Sequence, residues 1–212
     1  MESKHALLIG CGSKWGASFT KQLADQNYSI DLITGSDLTY HNVNNIRINW
    51  LTLTPSIIES LLDPNKKYDL IFFNQNSGGS PNEHFLKSGN KLDINSWNHN
   101  IWLNCQLPYI VVQHLTKSIS HTTKIGWMLT GLIVGKEKNF FKYAGYASAK
   151  STNLHIMRGF SEFHHGIFFA INPIWFPIEN YTEDAKQIHK IIENISAADN
   201  GKTFRKDGVE WI

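Results

Sequence analysis

His5-Ala-Leu-Leu-Ile-Gly10-Cys-Gly12-Ser13-Lys14-Trp15-Gly16 carries a short apolar run straight into three glycines. The apolar part reads as a buried strand. Trp15, Phe19 and Leu23 then recur at helical spacing, so a helix follows the glycines. A strand that turns through glycines into a helix lets backbone N–H groups and a helix N-terminus face an anion, where side chains would block the approach. Gly10, Gly12 and Gly16 meet that need, and the strand before and helix after are the setting that a dinucleotide pyrophosphate requires. The same residues would also make a tight strand-to-helix turn in an α/β protein of another function.

The alternation continues downstream. Ser29–Thr34 reads as a second strand stopped by Gly35, and Ile46–Trp50 as a third. Thr54-Pro55 opens a helix, with threonine as cap and proline in the first turn. Tyr68–Asn74 is the clearest buried strand, followed by a Gly/Ser/Asn-rich loop. A long helical pattern runs from about Asp93 to Ser118, with a kink expected at Pro108. Lys124–Leu129 is a fifth strand, Ala147–Phe163 a helix, Gly166–Asn172 a sixth strand, Thr182–Ile195 a short helix and Lys202–Arg205 a weak seventh strand. The pattern predicts an α/β fold: one Rossmann-like domain over 1–212, a doubly wound parallel sheet of six to seven strands with helices on both faces. Ligands of such sheets bind beyond the carboxyl ends of the strands, where the strand order switches.

Composition narrows the function classes. With 212 residues, 42% hydrophobic, 18% charged and a formal charge of +2, the chain has material for one core and no charge bias toward nucleic acid or an anionic membrane. The two cysteines, Cys11 and Cys105, have no metal-ligand spacing and suggest a reducing compartment. The ten histidines are scattered, so no metal is expected. No apolar run is long enough for a bilayer, and the N-terminal stretch lacks a signal-peptide layout, so the expected location is cytoplasmic.

Tyr146-Ala-Ser-Ala-Lys150 is the second informative stretch. A tyrosine titrates near ~10, and a neighbouring cation lowers that value by favouring the phenolate. Residues four apart share a helix face, so Lys150 can sit beside Tyr146 and bias its proton. Such pairs are common on surfaces. This one opens the helix after the fifth strand, at the ligand edge of the sheet. Tyr143 competes for the role, but has Ala147 where the lysine is needed.

Taken together these residues resemble the short-chain dehydrogenase/reductase family, along nearly the whole chain. The family's Gly-x-x-x-Gly-x-Gly turn is matched by Gly12, Gly16 and, imperfectly, Ser18; its Asn-Asn-Ala-Gly segment by Gln75-Asn76-Ser77-Gly78. Trp97 and Asn104 have the spacing of its tryptophan and helix asparagine, and Thr130 falls where its serine follows the fifth strand. Tyr146 and Lys150 match its Tyr-x-x-x-Lys pair, Pro173 its proline after the sixth strand, and Gly201–Gly208 its last strand and Asp-Gly ending. Ile174 replaces the glycine usual after that proline, and the stretch of about 173–200 is short for a substrate lid.

The resemblance implies an NAD(P)-dependent oxidoreductase that moves a hydride between a nicotinamide cofactor and a small carbonyl or alcohol substrate. Tyr146 would be general acid or base, Lys150 would lower its pKa and bind the nicotinamide ribose, Thr130 would hold the substrate oxygen, and Asn104 would position a relay water. Cofactor contacts would come from Gly10, Gly12, Ser13, Lys14, Trp15 and Gly16, from Thr34, Gly35 and Ser36, from Asn76, Ser77 and Gly78, and from Tyr146, Lys150, Pro173 and Ile174. No carboxylate stands at Thr34, Gly35 or Ser36 to accept ribose hydroxyls, and Lys14 is near, which leans toward NADP over NAD, although the expected arginine is missing. Phe140, Phe141, Trp175 and Phe176 are candidates to line a shallow pocket. The family habit implies a homodimer or homotetramer. The competing reading is a non-catalytic NAD(P)-binding regulatory protein on the same fold, which would account for Ser18, Ile174 and the reduced lid.

Overall fold

The buried strands alternate their side chains between two cores. In β1 (Lys4–Ile9), Leu7 and Ile9 enter one core while Ala6 and Leu8 enter the other. The same holds for β4 (Leu70–Phe73), where Ile71 and Phe73 oppose Leu70 and Phe72. A strand apolar on both faces needs helices on both sides, and that is the architecture. The computed structural model describes residues 3–75, 94–130, 144–173 and 180–211.

Seven parallel strands form one sheet in the order β3-β2-β1-β4-β5-β6-β7, with β2 (Tyr28–Thr34), β3 (Val43–Arg47), β5 (Lys124–Met128), β6 (Ile167–Asn172) and β7 (Lys202–Arg205) completing it. One face carries α1 (Lys14–Asp25) and α6 (Tyr181–Asn194), which pack on each other. The other carries α2 (Pro55–Ser60), α4 (Leu107–His114) and α5 (Ala144–Phe163), with α3 (Ile94–Ile101) against α5. The order reverses between β1 and β4, so a crevice opens at their carboxyl ends. The aromatics are mostly core: Trp15, Phe19 and Phe72 cluster on one face, and Phe73, Trp127 and Phe168 stack in series on the other.

Two elements depart from the sequence reading. Strand β3 covers Val43–Arg47 and not Ile46–Trp50. It is a half-exposed edge strand whose polar residues are held by β2 pairing and by the Asn44 amide on Asp31, so apolarity was the wrong signal for it. Asp31 is itself buried in β2. Burial pushes its carboxyl up, but hydrogen bonds from Lys66, Tyr68 and Asn44 outweigh that and hold it below the usual range.

The second departure is at Pro108. The helix does not simply kink; it widens into a π-helical turn over Trp102–Gln106 and resumes as α4. Pro108 has no N–H for the Asn104 carbonyl four residues back, and a wider turn relieves its ring. The Leu107 N–H therefore goes to the Trp102 carbonyl. The Leu103 carbonyl, deprived of that N–H, accepts one from the Gln75 side chain at 3.0 Å. A proline in one helix thus fixes a side chain at the end of β4.

Candidate active site

Three of the sequence-predicted groups meet at the switch point. The crevice is a cleft of about 570 Å³ lined by Gly10, Gly12, Ser13 and Trp15 from the glycine turn, Thr34, Gly35 and Ser36 after β2, and Pro173 after β6. It is also lined by residues that the sequence reading passed over: Asn74, His99, Leu103 and Met128, together with Trp50 from the loop after β3. Asn74 could have been found, because it ends a strand beside the switch point. Trp50 was hidden by the misplaced third strand. His99 and Leu103 share a face of the long helix, which sequence alone does not orient.

The glycines answer first to the fold. Gly10 has φ +80°, and a Cβ there would stand 2.2 Å from the Cα of Gln75, where β1 and β4 leave the sheet side by side. A Cβ on Gly12 would meet the Thr34 Oγ1 at 2.2 Å and the Ser36 Oγ at 2.6 Å. One on Gly16 would strike the backbone of Cys11. The turn is therefore explained without a ligand, and its glycines alone do not separate a dinucleotide site from a tight turn. Gly10→Ala should lower stability by about 2–4 kcal/mol, the sum of left-handed strain and overpacking, read as a shift of the denaturant midpoint. A midpoint within experimental error of the parent would disprove the close contact with Gln75.

What makes the cleft suitable for an anion is the rest. Ser13 caps α1, accepting from the Gly16 N–H at 3.2 Å, so the helix N-terminus opens onto the cleft. Thr34 and Ser36 supply hydroxyls, and the Ser36 hydroxyl donates to the Gly12 carbonyl at 3.3 Å. Lys14, the first residue of α1, is exposed and is not among the lining residues. An extended, anionic, ribose-bearing molecule fits this set: an aromatic side chain at Trp50, hydroxyls after β2, amides at the glycine turn. Asn76, Ser77, Gly78 and Ile174 lie outside the described residues, as do Phe140, Phe141, Trp175 and Phe176.

Behind the cleft wall stands Lys150. Its side chain is buried, and its ammonium donates to the carbonyls of Gln75 and Met128, both at 3.0 Å, tying the ends of β4 and β5. Both partners are cleft residues. Among the described residues no carboxylate pairs with it. Burial pushes the ammonium down to about 7, with the Cys105 thiol alongside pulling weakly the other way. The Cys105 thiol donates to the Ala149 carbonyl at 3.3 Å and is pushed up by burial to about 11.

Tyr146 is half-buried, with the Lys150 ammonium 5.7 Å from its ring centre. The pair expected from spacing is therefore a pair in space. Thr130 is buried two residues beyond Met128. Asn104 is fully buried in the π-turn; its amide donates to the Asn100 carbonyl at 3.1 Å, while its Oδ1 and the Oε1 of Gln75 have no partner among the described residues. Two buried acceptors without a partner are uncommon, and one of them belongs to Gln75, which lines the cleft and whose carbonyl holds Lys150. His99, half-buried at the wall, is kept below its ordinary pKa by burial.

No model of a known protein family matches the chain. No curated protein sequence matches it either. Solved structures do. A carbonyl reductase from Pseudomonas aeruginosa PAO1 superposes with a TM-score of 0.78 at 11% identity, covering 98% of this chain and 99% of that one. A Burkholderia multivorans structure with bound NADP gives 0.76 at 14% identity over 99% of both chains. An oxidoreductase of the short-chain dehydrogenase/reductase family from Brucella ovis, in complex with a partially ordered NAD, gives 0.73 at 16% identity over 96% of this chain and 99% of that one. At such identities the likeness is one of architecture, and the chain has the fold of the short-chain dehydrogenases/reductases over nearly its whole length.

Proposed function

We propose that this protein is an NAD(P)-dependent oxidoreductase of the short-chain dehydrogenase/reductase type, acting on a small carbonyl or alcohol. The observation that carries the reading is Lys150. A buried ammonium with no carboxylate partner among the described residues is costly, and here it is held by two cleft residues and faces the ring of Tyr146. A purely structural position would favour an apolar residue.

The dinucleotide would be held by the glycine turn and the α1 N-terminus through its phosphates, and by Thr34, Gly35 and Ser36 at its adenosine end. When bound, it supplies the hydride or accepts it. The protein's own work is on the proton. Tyr146 gives its phenolic proton to a carbonyl oxygen in reduction and takes it back in oxidation. Lys150 keeps the phenolate accessible by its charge, and with two N–H groups on Gln75 and Met128 it keeps the third for a ribose hydroxyl. Thr130 offers a hydroxyl to the substrate oxygen. Asn104 holds a water with its Oδ1, continuing the proton path. Assembly as a homodimer or homotetramer and a cytoplasmic location belong to the same reading.

The adenosine end lacks a carboxylate at 34–36, so NADPH should bind more tightly than NADH in a direct fluorescence titration. Hydride transfer should then be measured from the preferred cofactor across ketones, aldehydes and quinones. Binding of neither cofactor would defeat the reading. Binding without turnover on any of these substrates would favour the non-catalytic regulator.

A further inference from the structure

No arginine follows β2 directly in the sequence, but the next strand ends on one. The parallel pairing of β2 and β3 sets Arg47 in register with Thr34, the last residue of β2. From there its guanidinium reaches Asp37, with Nη1 2.8 Å from Oδ2. Gly35 and Trp50 line both the main cleft and the shallow side groove that contains Arg47, so the groove adjoins the cleft at these two residues. The loop between is braced: the Asn45 amide donates to the Ser36 carbonyl at 3.1 Å, and the Ser36 hydroxyl is held on Gly12.

We propose that Arg47 is the anchor for a 2′-phosphate on the adenosine ribose, and that Asp37 is a displaceable partner that tunes its strength. The inference rests on the dinucleotide reading of the cleft and deepens it. The end of the second strand of a βαβ unit is where the ribose 2′ position arrives. An arginine binds a phosphate dianion through two parallel N–H bonds, more strongly than it binds one carboxylate oxygen. The existing pair is a poor competitor. Its side chains are 64% and 72% exposed, and an ion pair so open to water is weak and screened by salt. Asp37 also keeps the guanidinium aligned along the loop until a phosphate replaces it.

The test uses two probes that differ by one group: adenosine 5′-monophosphate and adenosine 2′,5′-bisphosphate, titrated calorimetrically into the parent, Arg47→Met and Asp37→Asn proteins. Both positions are on the surface, so neither substitution threatens the core. The parent should bind the bisphosphate about ten- to a hundredfold more tightly than the monophosphate. Arg47→Met should bring that ratio close to one with the monophosphate affinity unchanged. Asp37→Asn should widen the ratio, by roughly two- to fivefold, because the competing carboxylate is gone. A parent ratio near one, or a large ratio that survives Arg47→Met, overturns the assignment and leaves the cleft's nucleotide reading standing. Failure of both probes to bind at millimolar concentration sinks that reading and the anchor with it.

Discussion

Lys150→Met should melt at a higher temperature than the parent near neutral pH, and should lose turnover about 10²- to 10⁴-fold. Methionine keeps the length of the side chain and removes its charge. Lys150 is 2% exposed, and the displacement of its ammonium from 10.5 to about 7 corresponds to a penalty of up to about 5 kcal/mol at low pH. Against that stand the two hydrogen bonds to Gln75 and Met128, which methionine cannot make, at about 1–2 kcal/mol each. The net gain is about 1–3 kcal/mol, or a few degrees to about 10 °C for a chain of this length. The pH dependence identifies the cause. The folded chain holds this proton less tightly than the unfolded chain, so between about pH 7 and 10.5 the unfolded state carries more protons and the parent's stability climbs with pH. In Lys150→Met that climb should be missing. A variant less stable than the parent at every pH would mean that tying β4 to β5 outweighs the burial of charge.

Tyr146→Phe should separate binding from chemistry. The ring remains beside Lys150 and the cleft wall is unchanged, so cofactor affinity should stay within about twofold of the parent's. Loss of a positioned proton donor should lower kcat about 10²- to 10⁴-fold. Stability should change by less than about 1 kcal/mol, because the side chain is only half-buried and phenylalanine keeps its ring. Retention of full activity would take the proton role away from Tyr146. A parallel loss of cofactor affinity would turn the residue into a binding group.

The two predictions use the same pair of residues in opposite ways. Lys150 is where stability is given up, and Tyr146 is where the proposed chemistry uses it. A buried ammonium held by carbonyl dipoles and an aromatic ring, with no carboxylate among the described residues, is sensitive to any charge that enters the cleft. An anionic ligand nearby would raise its proton affinity again.

Local residue pattern determined most of the architecture here. Strands such as Leu70–Phe73 and Ile167–Asn172 are apolar on both faces, a property of the residues themselves, and it demands helices on both sides. The glycine turn, the Thr54-Pro55 helix start and the four-residue spacing of Tyr146 and Lys150 are equally local. Tertiary structure decided what depends on neighbours distant in sequence. The edge strand Val43–Arg47 exists through its pairing with β2, and that pairing brings Arg47 beside Thr34 and leaves Trp50 in the cleft wall. Pro108 predicted a kink and the chain forms a π-turn there, but only the assembled fold brings Gln75 to the Leu103 carbonyl that the turn leaves open. The four-residue spacing pairs Lys150 with Tyr146 in the sequence; its burial against two strand ends, and hence its altered proton affinity, comes from the closure of α5 over β4 and β5. Hydrophobic periodicity acts over a few residues and is written in the chain, whereas strand edges, desolvation and hydrogen bonds between distant segments arise only when the sheet is assembled.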